Sequence, residues 1–559
     1  MSQNGFGRRI RPLGGLAASG MALVAAGSLA MSASAQPLQA RPDAGTLLRD
    51  GLQTEPAHPE SEIDDHQTPD SSPPDSHAPT SPAGQSTDRA RIAITSISIA
   101  GNSVFDDQTL LAELEGYQHR RYELAGLQAL AGQIAAHYRD NGYPFVRAML
   151  PPQEIGDGSL TIEVVEGRYG QVRATGDDAA LARAAQRYLD GLRPGAVIAE
   201  TGLERATRIL DDLPGMDIAP VLRPGQSPGT GDLEVEVEPG RRWAAVVSAD
   251  NYGNRYSGPH RARIALTANR LLMVGDEIAF SAVYTDEDLW LGSLDYSVPV
   301  GISGLRASAG FARTEYRLGD TFSGFTGTAT VGSLGLSHPV IRRQSGNLTV
   351  SAEARYKVLE DQLFGRTFDR KDAYTGTLGL TFDRRDRMAG GGVTYGGLSA
   401  TGGVIDNKLP GRDGGAFLKL NGRVARLQHL PGRFSLQGSV RFQAGDDLDG
   451  SESFSLGGPN AVRSHPAGEA SASAGILGRT ELRYTMETLA PYLFADFGHS
   501  TGLGSGSPRS LAGAGFGIRA THESGIEADA AVAWQIGSDD AVSDDRQHPR
   551  VWLSVRYRF

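Results

Sequence analysis

The sequence predicts two fold classes joined end to end: a tandem of small α+β domains, then an all-β, 16-stranded transmembrane β-barrel. Three observations carry the prediction. Residues 91–240 run twice through one order of strands and helices, the residues after Arg241 alternate apolar and polar with period two, and no stretch past residue 35 is apolar enough to cross a membrane as a helix. With 72 Gly among 559 residues and a hydrophobic content of 39%, the composition suits a barrel, whose apolar residues are dispersed by alternation.

The N-terminus sets the compartment. Arg8, Arg9 and Arg11 precede a small, mostly apolar run over 13–30, and Ala33-Ser34-Ala35 fits a small-residue cleavage rule, so residues 1–35 read as a secretory signal peptide and Gln36 as the mature start. A transmembrane helix is the alternative; the Gly, Ala and Ser content and the processing-like end favour cleavage. The absence of cysteine excludes disulfides, thiolate metal sites and cysteine nucleophiles, and suits an oxidising compartment. A net charge of −11 argues against a nucleic-acid binder, which needs a basic face. Within 36–53, DAGTLLRDGLQ can form a short helix with Leu47 and Leu48 on one side, too short to persist without a partner surface. Residues 54–90, dense in Pro, Ser, Asp and Glu, read as a disordered linker.

In the first repeat copy, ITSISIAGN (94–102) alternates as one strand, DDQTLLAEL and ELAGLQALAGQIAAHYRDNGY follow with helical spacing, and PFVRAMLPPQ and SLTIEVVEG close as strands. Leu127, Leu130, Ile134 and Tyr138 make one apolar stripe on the second helix. The second copy runs YGQVRATG, DDAALARAAQRYLDGL, LERATRILDDLPG, MDIAPVLRPG, DLEVEVEPG, and both copies end alike, in VVEG and VEPG. This order, with a GN turn at Gly101-Asn102, a GY-like turn at Gly142-Tyr143 and a VxEG-like end, resembles the polypeptide-transport-associated (POTRA) domain. The resemblance implies two such periplasmic domains, at 91–167 and 168–240.

From 241 to 559 the alternation can be counted. In RFSLQGSVRFQ, Phe434, Leu436, Gly438, Val440 and Phe442 share one face; in ILGRTELRYTME, Arg479, Glu481, Arg483 and Glu487 oppose Ile476, Leu482, Tyr484 and Met486. RVWLSVRYRF sets Val551, Leu553, Val555, Tyr557 and Phe559 against Arg550, Ser554, Arg556 and Arg558. A soluble β-sandwich also alternates, but strands of about ten residues with charge on the inner face and aromatics near their ends fit a membrane barrel better.

The long connection at 446–474 contains GGPNAVRSHPAGEA (457–470), where Arg463 has no run of hydrophobic neighbours to bury it. Two strands later, PYLFADFGH carries Phe494, Asp496 and Gly498, with Asp496 on the face of Tyr492 and Phe494. In this order and behind two POTRA domains, these motifs resemble the outer-membrane transporters of two-partner secretion, the haemolysin secretion and activation family, over residues 43–559. The resemblance implies that 446–474 folds into the barrel lumen and that its tip, Val462, Arg463, Ser464 and His465, pairs through Arg463 with Asp496 of the wall motif. Ser464 and His465 stand where the family pattern has Gly and an aromatic residue. It further implies that the helix bearing Leu47 and Leu48 plugs the lumen, and that the end at Tyr557 and Phe559 is the signal read by the barrel-assembly machinery.

The enzyme-like motifs dissolve on inspection. GHSTG at 498–502 matches a hydrolase elbow without the helix it needs, GAGFG at 513–517 lacks the helix and lysine of a phosphate loop, and the twelve histidines form no ligand spacing. No catalytic residue, metal or cofactor is expected. The implied function is a protein-conducting pore in the bacterial outer membrane that takes an unfolded, large secreted exoprotein of adhesin or cytolysin type from the periplasm. The alternatives are a barrel-insertion factor of the same superfamily and a passive porin; the latter has no use for POTRA domains.

Overall fold

The computed structural model describes residues 42–52, 91–114, 116–117, 120–410, 414–501, 507–537, 540–544 and 547–559. The expected signal peptide and linker lie outside the described residues, and the first element is helix α1, Ala44–Leu52.

The first α+β unit comprises β1 (Ile92–Ile94), β2 (Ser96–Ala100), α2 (Asp107–Ala112), β3 (Arg120–Tyr122), α3 (Leu124–Asp140), β4 (Arg147–Met149) and β5 (Ser159–Val165). The single strand expected across 94–102 is two. Thr95 and Ser96 both donate to the Gly158 carbonyl, at 2.8 and 3.3 Å, which interrupts the ladder and diverts β1 to pair with β3. The remaining strands form a sheet in the order β2-β5-β4, with β2 parallel to β5. The α3 stripe Leu127, Leu130, Ile134 and Tyr138 is buried against Ile97, Ile99, Leu160 and Ile162, removing the apolar face of one small sheet from water.

The second unit comprises β6 (Arg168–Thr175), α4 (Ala179–Leu189), α5 (Glu200–Asp211), β7 (Met216–Pro224) and β8 (Thr230–Pro239), in the sheet order β6-β8-β7. The repeat extends to atomic detail. A Cβ on Gly101 would sit 2.3 Å from the Val164 carbonyl oxygen, and one on Gly176 would sit 2.2 Å from that of Val237. In both copies the turn after strand one therefore rests on the last strand too closely for any side chain.

The VVEG ending has a separate duty at the junction. Glu166 Oε1 accepts from the amides of Ser103 and Val104 at 2.6 and 2.9 Å and from the Tyr138 hydroxyl at 2.9 Å, while Oε2 accepts from Arg168 at 2.8 Å. Burial alone would raise its pKa, but these donors together hold the carboxyl below the ordinary glutamate range. The second copy has Pro239 at the matching place. Gly142 O and Gly167 O accept from Glu200 N and Ile198 N at 2.9 and 2.8 Å, completing the splice between the units. The second unit in turn grips the barrel: Arg205 donates to the carbonyls of Pro339, Val340 and Ser303 at 2.9, 3.1 and 3.1 Å, and Arg342 reaches Asp212 at 2.8 Å.

The remaining sixteen strands close a barrel. They begin with β9 (Trp243–Asp250), β10 (Arg261–Asn269), β11 (Glu277–Thr285), β12 (Trp290–Pro299), β13 (Arg306–Arg317), β14 (Phe325–Arg342), β15 (Gly346–Leu363) and β16 (Arg366–Asp386). They continue with β17 (Gly392–Asn407), β18 (Gly415–His429), β19 (Phe434–Gly445), β20 (Gly475–Tyr484), β21 (Leu489–Ser500), β22 (Arg509–Thr521), β23 (Ile526–Gln535) and β24 (Arg550–Arg558), which pairs with β9. Every neighbouring pair is antiparallel, and the closure of β24 on β9 leaves the barrel without an open edge. Outward positions such as Leu334, Leu378 and Leu418 are exposed in the isolated chain, as residues meant for lipid must be. At about 3.3 Å per residue the 18 residues of β15 run roughly 60 Å, so even at a tilt of about 45° this part of the wall outreaches a hydrocarbon layer of about 30 Å. The strand expected across 476–487 ends at Tyr484, leaving Met486 and Glu487 in the turn before β21.

Candidate functional site: the lumen loop and helix

The connection between β19 and β20 folds back on itself. Phe454 and Ala472 exchange two backbone hydrogen bonds at 2.7 and 2.8 Å, and Val462 N donates to Leu456 O at 2.8 Å. This corrects the expectation that Arg463 lacks hydrophobic company. Leu456, Ala461 and Val462 of the loop pack with Leu477 and Leu511 of the wall, a cluster assembled by tertiary contact from residues scattered over more than fifty positions.

Arg463 and Asp496 are brought together and buried, each 4% exposed. Arg463 Nε and Nη2 donate to the two carboxylate oxygens of Asp496 at 2.8 Å each, and its own amide donates to Oδ2 at 3.1 Å. The fork geometry is the bidentate arrangement that makes arginine–carboxylate pairs strong and directional. Arg463 Nη1 adds a bond to Glu481 at 3.1 Å, and the guanidinium lies 3.5 Å from the centroid of the Phe494 ring. Behind it, Trp552 Nε1 donates to the Arg463 carbonyl at 2.7 Å. Glu481 and Trp552 went unrecognised as partners in the sequence, although the period-two pattern puts both on the lumen face.

Each remaining motif residue has a place. A Cβ on Gly498 would lie 3.0 Å from Leu456 and 3.3 Å from Val462, so the glycine leaves room for the loop against the wall. Ser464 Oγ donates to Ala512 O at 3.2 Å, lies 3.0 Å from His465 Nδ1, and occupies the space a side chain at Gly513 would need. His465 is fully buried. Of the two departures from the family pattern, Ser464 is thus packed into the wall and His465 is buried beside it.

Three further loop carboxylates make ion pairs with the wall, none of them singled out in the sequence. Asp449 meets Lys371 at 2.7 Å, and buried Glu452 gathers Lys357 and Lys419 at 2.5 and 2.7 Å. Buried Glu469 pairs with Arg509 and accepts from Val542 N, Ser543 N and Ser543 Oγ at 3.0, 2.8 and 2.7 Å. Opposite charges on loop and lumen wall were the available signal, but pairing them needs the barrel's register.

Helix α1 lies between the loop and the other wall. Leu47 and Leu48 pack in a buried cluster with Leu291, Tyr316, Val331 and Leu359 of β12 to β15. Ala44 N donates to Asp361 at 3.0 Å, and Arg49 donates to the carbonyls of Gly450 and Ser453 at 3.2 and 2.8 Å. At the C-terminus, the Tyr557 and Phe559 rings meet edge-on at 4.4 Å, and Phe559 N closes on Ala245 O at 2.9 Å.

The family description "Haemolysin secretion/activation protein ShlB/FhaC/HecB" matches residues 229–520, just over half of the chain, and "POTRA domain, ShlB-type" matches residues 92–167. The heme/hemopexin transporter protein HuxB of Haemophilus influenzae strain 86-028NP is 27% identical over 405 residues, covering 69% of this chain and 71% of HuxB. The outer membrane transporter CdiB of Dickeya dadantii strain 3937 is 23% identical over 396 residues, 68% of this chain and 69% of CdiB. Among solved structures, CdiB from Escherichia coli superposes with a TM-score of 0.70 at 20% identity, over 87% of this chain and 93% of that one. CdiB from Acinetobacter baumannii gives 0.65 at 16% identity, over 89% and 96%. The chain therefore belongs to the haemolysin secretion/activation protein family: it is an outer-membrane transporter of the two-partner secretion type, a 16-stranded barrel with periplasmic POTRA domains that exports a secreted partner protein.

Proposed function

We propose that the chain captures its large exoprotein while unfolded, by strand addition at the open edges of the POTRA sheets, and threads it outward through a lumen vacated by α1 and the 446–474 loop. The observation that carries this reading is the arrangement of closures. A nine-residue helix, marginal in water by itself, fills the lumen through a small apolar contact and a few hydrogen bonds, a docking weak enough to reverse. The edge strands β2 and β4 of the first unit and β7 of the second each have one side without a strand partner among the described residues, whereas the outer edge of β6 is capped at Arg168 and Tyr169 by the 195–197 segment, and added strands bind through open main-chain edges. Arg463 and Asp496 hold the loop tip. The transport step itself is carried by no catalytic group. Outer-membrane lipid surrounds the apolar belt, and Tyr557 and Phe559 present the C-terminal strand to the assembly machinery. Deletion of residues 36–53 tests the plug. It is expected to leave assembly and secretion largely intact and to raise conductance in planar bilayers; unchanged conductance of correctly inserted protein would assign closure to the loop alone. Client capture is tested by pull-down of the exoprotein's N-terminal region on the full-length transporter, with an excess of POTRA-edge-mimicking peptide as competitor. Absence of binding at any salt concentration would remove the capture step.

A further inference from the structure

The lumen wall carries a second group of arginines that the latch does not use. Arg423 on β18 stands directly opposite Arg441 on β19, and Arg479 on β20, paired with Ser439, shares their inward face. All three line one cavity of about 140 Å³, whose walls hold five arginines but only two carboxylates, Glu481 and Asp529. The carboxylates are engaged elsewhere. Glu481 pairs with Arg463 and Arg483 at 3.1 and 2.7 Å, and Asp529 accepts from the Tyr492 hydroxyl at 2.9 Å and faces Arg519 at 3.3 Å.

What remains for the three arginines is meagre. Arg441 donates to the Asn460 carbonyl at 2.5 Å and Arg479 to the Pro459 carbonyl at 3.3 Å, both in the loop's turn. Arg479 Nε is buried without a hydrogen-bond partner, 3.6 Å from an Asp496 already held by Arg463. Arg423 only faces the Tyr395 ring, 5.8 Å away, and among the described residues neither it nor Arg441 has a carboxylate in ion-pair range. Like charges directly opposite in a sheet destabilise it, and although Arg423 is open to the lumen, Arg441 and Arg479 are partly withdrawn from water, where an incompletely paired cation costs free energy. Loop carbonyls offer partial dipoles where full negative charge is wanted.

We propose that Arg423, Arg441 and Arg479 form a lumenal binding site for an oxyanion, of the kind presented by a phosphate or a carboxylate group. Planar guanidinium forks match the paired oxygens of such groups. The site lies beneath the Pro459–Asn460 turn, so an anion there competes with the loop carbonyls for Arg441 and Arg479, and occupancy is coupled to how firmly the loop rests. Two sources share this chemistry: small free oxyanions, and acidic side chains of a polypeptide in the lumen.

The test is isothermal titration calorimetry on the full-length protein in detergent, in chloride buffer at constant ionic strength, with inorganic pyrophosphate and with a hexaglutamate peptide. Saturable one-to-one binding is expected, weakened at least tenfold by Arg423→Gln and by Arg441→Gln. Arg423 makes no hydrogen bond among the described residues, so its variant should fold, and heat-modifiable gel mobility confirms a closed barrel. Pyrophosphate binding without peptide binding assigns the site to free oxyanions; peptide binding that pyrophosphate displaces assigns it to acidic segments in transit. Absence of saturable binding of either probe to the unsubstituted protein overturns the proposal, and so does unchanged affinity in a folded Arg423→Gln protein.

Discussion

Arg463→Ala and Asp496→Ala are not equivalent perturbations, and the structure says which is worse. Breaking a buried, hydrogen-bonded ion pair by removing one partner costs ~3–5 kcal/mol, because the other charge is stranded. Removal of Arg463 leaves Asp496, whose side chain is wholly buried, with Arg479 already 3.6 Å away and able to close in. Glu481 keeps Arg483 at 2.7 Å. Arg463→Ala therefore belongs near ~3 kcal/mol, roughly 150-fold in the ratio of docked to undocked loop. Removal of Asp496 strands Arg463 beside Arg479 and Arg441 with a single shared acid, Glu481, and belongs near ~5 kcal/mol. The chain has no cysteine, so Ser471→Cys in the loop supplies a unique thiol for maleimide labelling in outer-membrane vesicles. Labelling is expected to quicken by tenfold or more in Arg463→Ala, further in Asp496→Ala, and less than the product in the double variant, since residues in contact do not act additively. Secretion should fall in both single variants while the barrel still assembles. Labelling rates equal to the parent's in both would refute the latch, and an Arg463→Ala effect larger than that of Asp496→Ala would refute the ordering.

Three other predictions come from particular contacts. Because its donors keep the Glu166 pKa below the unfolded value of about 4.3, its stabilisation is complete above that value and is lost as pH falls through the lower folded one; the Ser103 and Val104 amides should lose protection from hydrogen exchange there, whereas in Glu166→Gln, which carries no titrating group, protection should be reduced already at neutral pH and show no such acid step. Identical acid profiles in the two proteins would dismiss the hub. Glu469→Gln should release Val542 and Ser543, raising their amide exchange at least tenfold while the Ser471→Cys labelling rate changes less than in Arg463→Ala; no change at those amides would show that the contact carries no weight. Gly45→Val would place a Cβ 2.5 Å from that of Ser451, so it should expel α1 and raise pore conductance, and a bilayer current equal to the parent's would mean that helix and loop accommodate one another.

Period-two alternation sufficed to orient Phe434, Leu436 and Val440 outward and Arg479, Glu481 and Arg483 inward, because lipid and water impose opposite demands on adjacent residues. The α3 stripe was equally legible, since a helix of 17 residues packs one face on one sheet. What stayed hidden is whatever depends on register between distant strands. Nothing local in LGRTE pairs Glu481 with Arg463, eighteen residues away, and nothing near Trp552 points to a carbonyl eighty-nine residues earlier. The break at Thr95 was hidden for the same reason: one carbonyl, Gly158 O, drew two successive amides and ended the strand where alternation would have continued it. Arg463 itself was found only through a motif, as its surroundings, Phe494, Asp496, Glu481 and Trp552, are brought together by no window of sequence.

Helix α1 and the loop meet at one turn, and that sharing bears on the order in which the two proposed closures would release. Arg49 ties α1 to the carbonyls of Gly450 and Ser453, and the absent side chain of Gly45 lets the helix lie on Ser451. The turn so braced carries Glu452, whose carboxylate holds Lys357 and Lys419 of the wall. The tip contacts, by contrast, engage β20, β21 and β24, and Glu469 engages β22 and the segment at 542–543, with no atom of α1 among their partners. Loss of α1 therefore removes support from the first limb of the loop and leaves the tip fastened, whereas a loop drawn out first would have to break the Arg49 contacts as well as its own. Counted in these contacts, releasing the proposed plug before the loop breaks fewer bonds than the reverse order, while Arg205 and Arg342 keep the second POTRA unit against the barrel rim in either case.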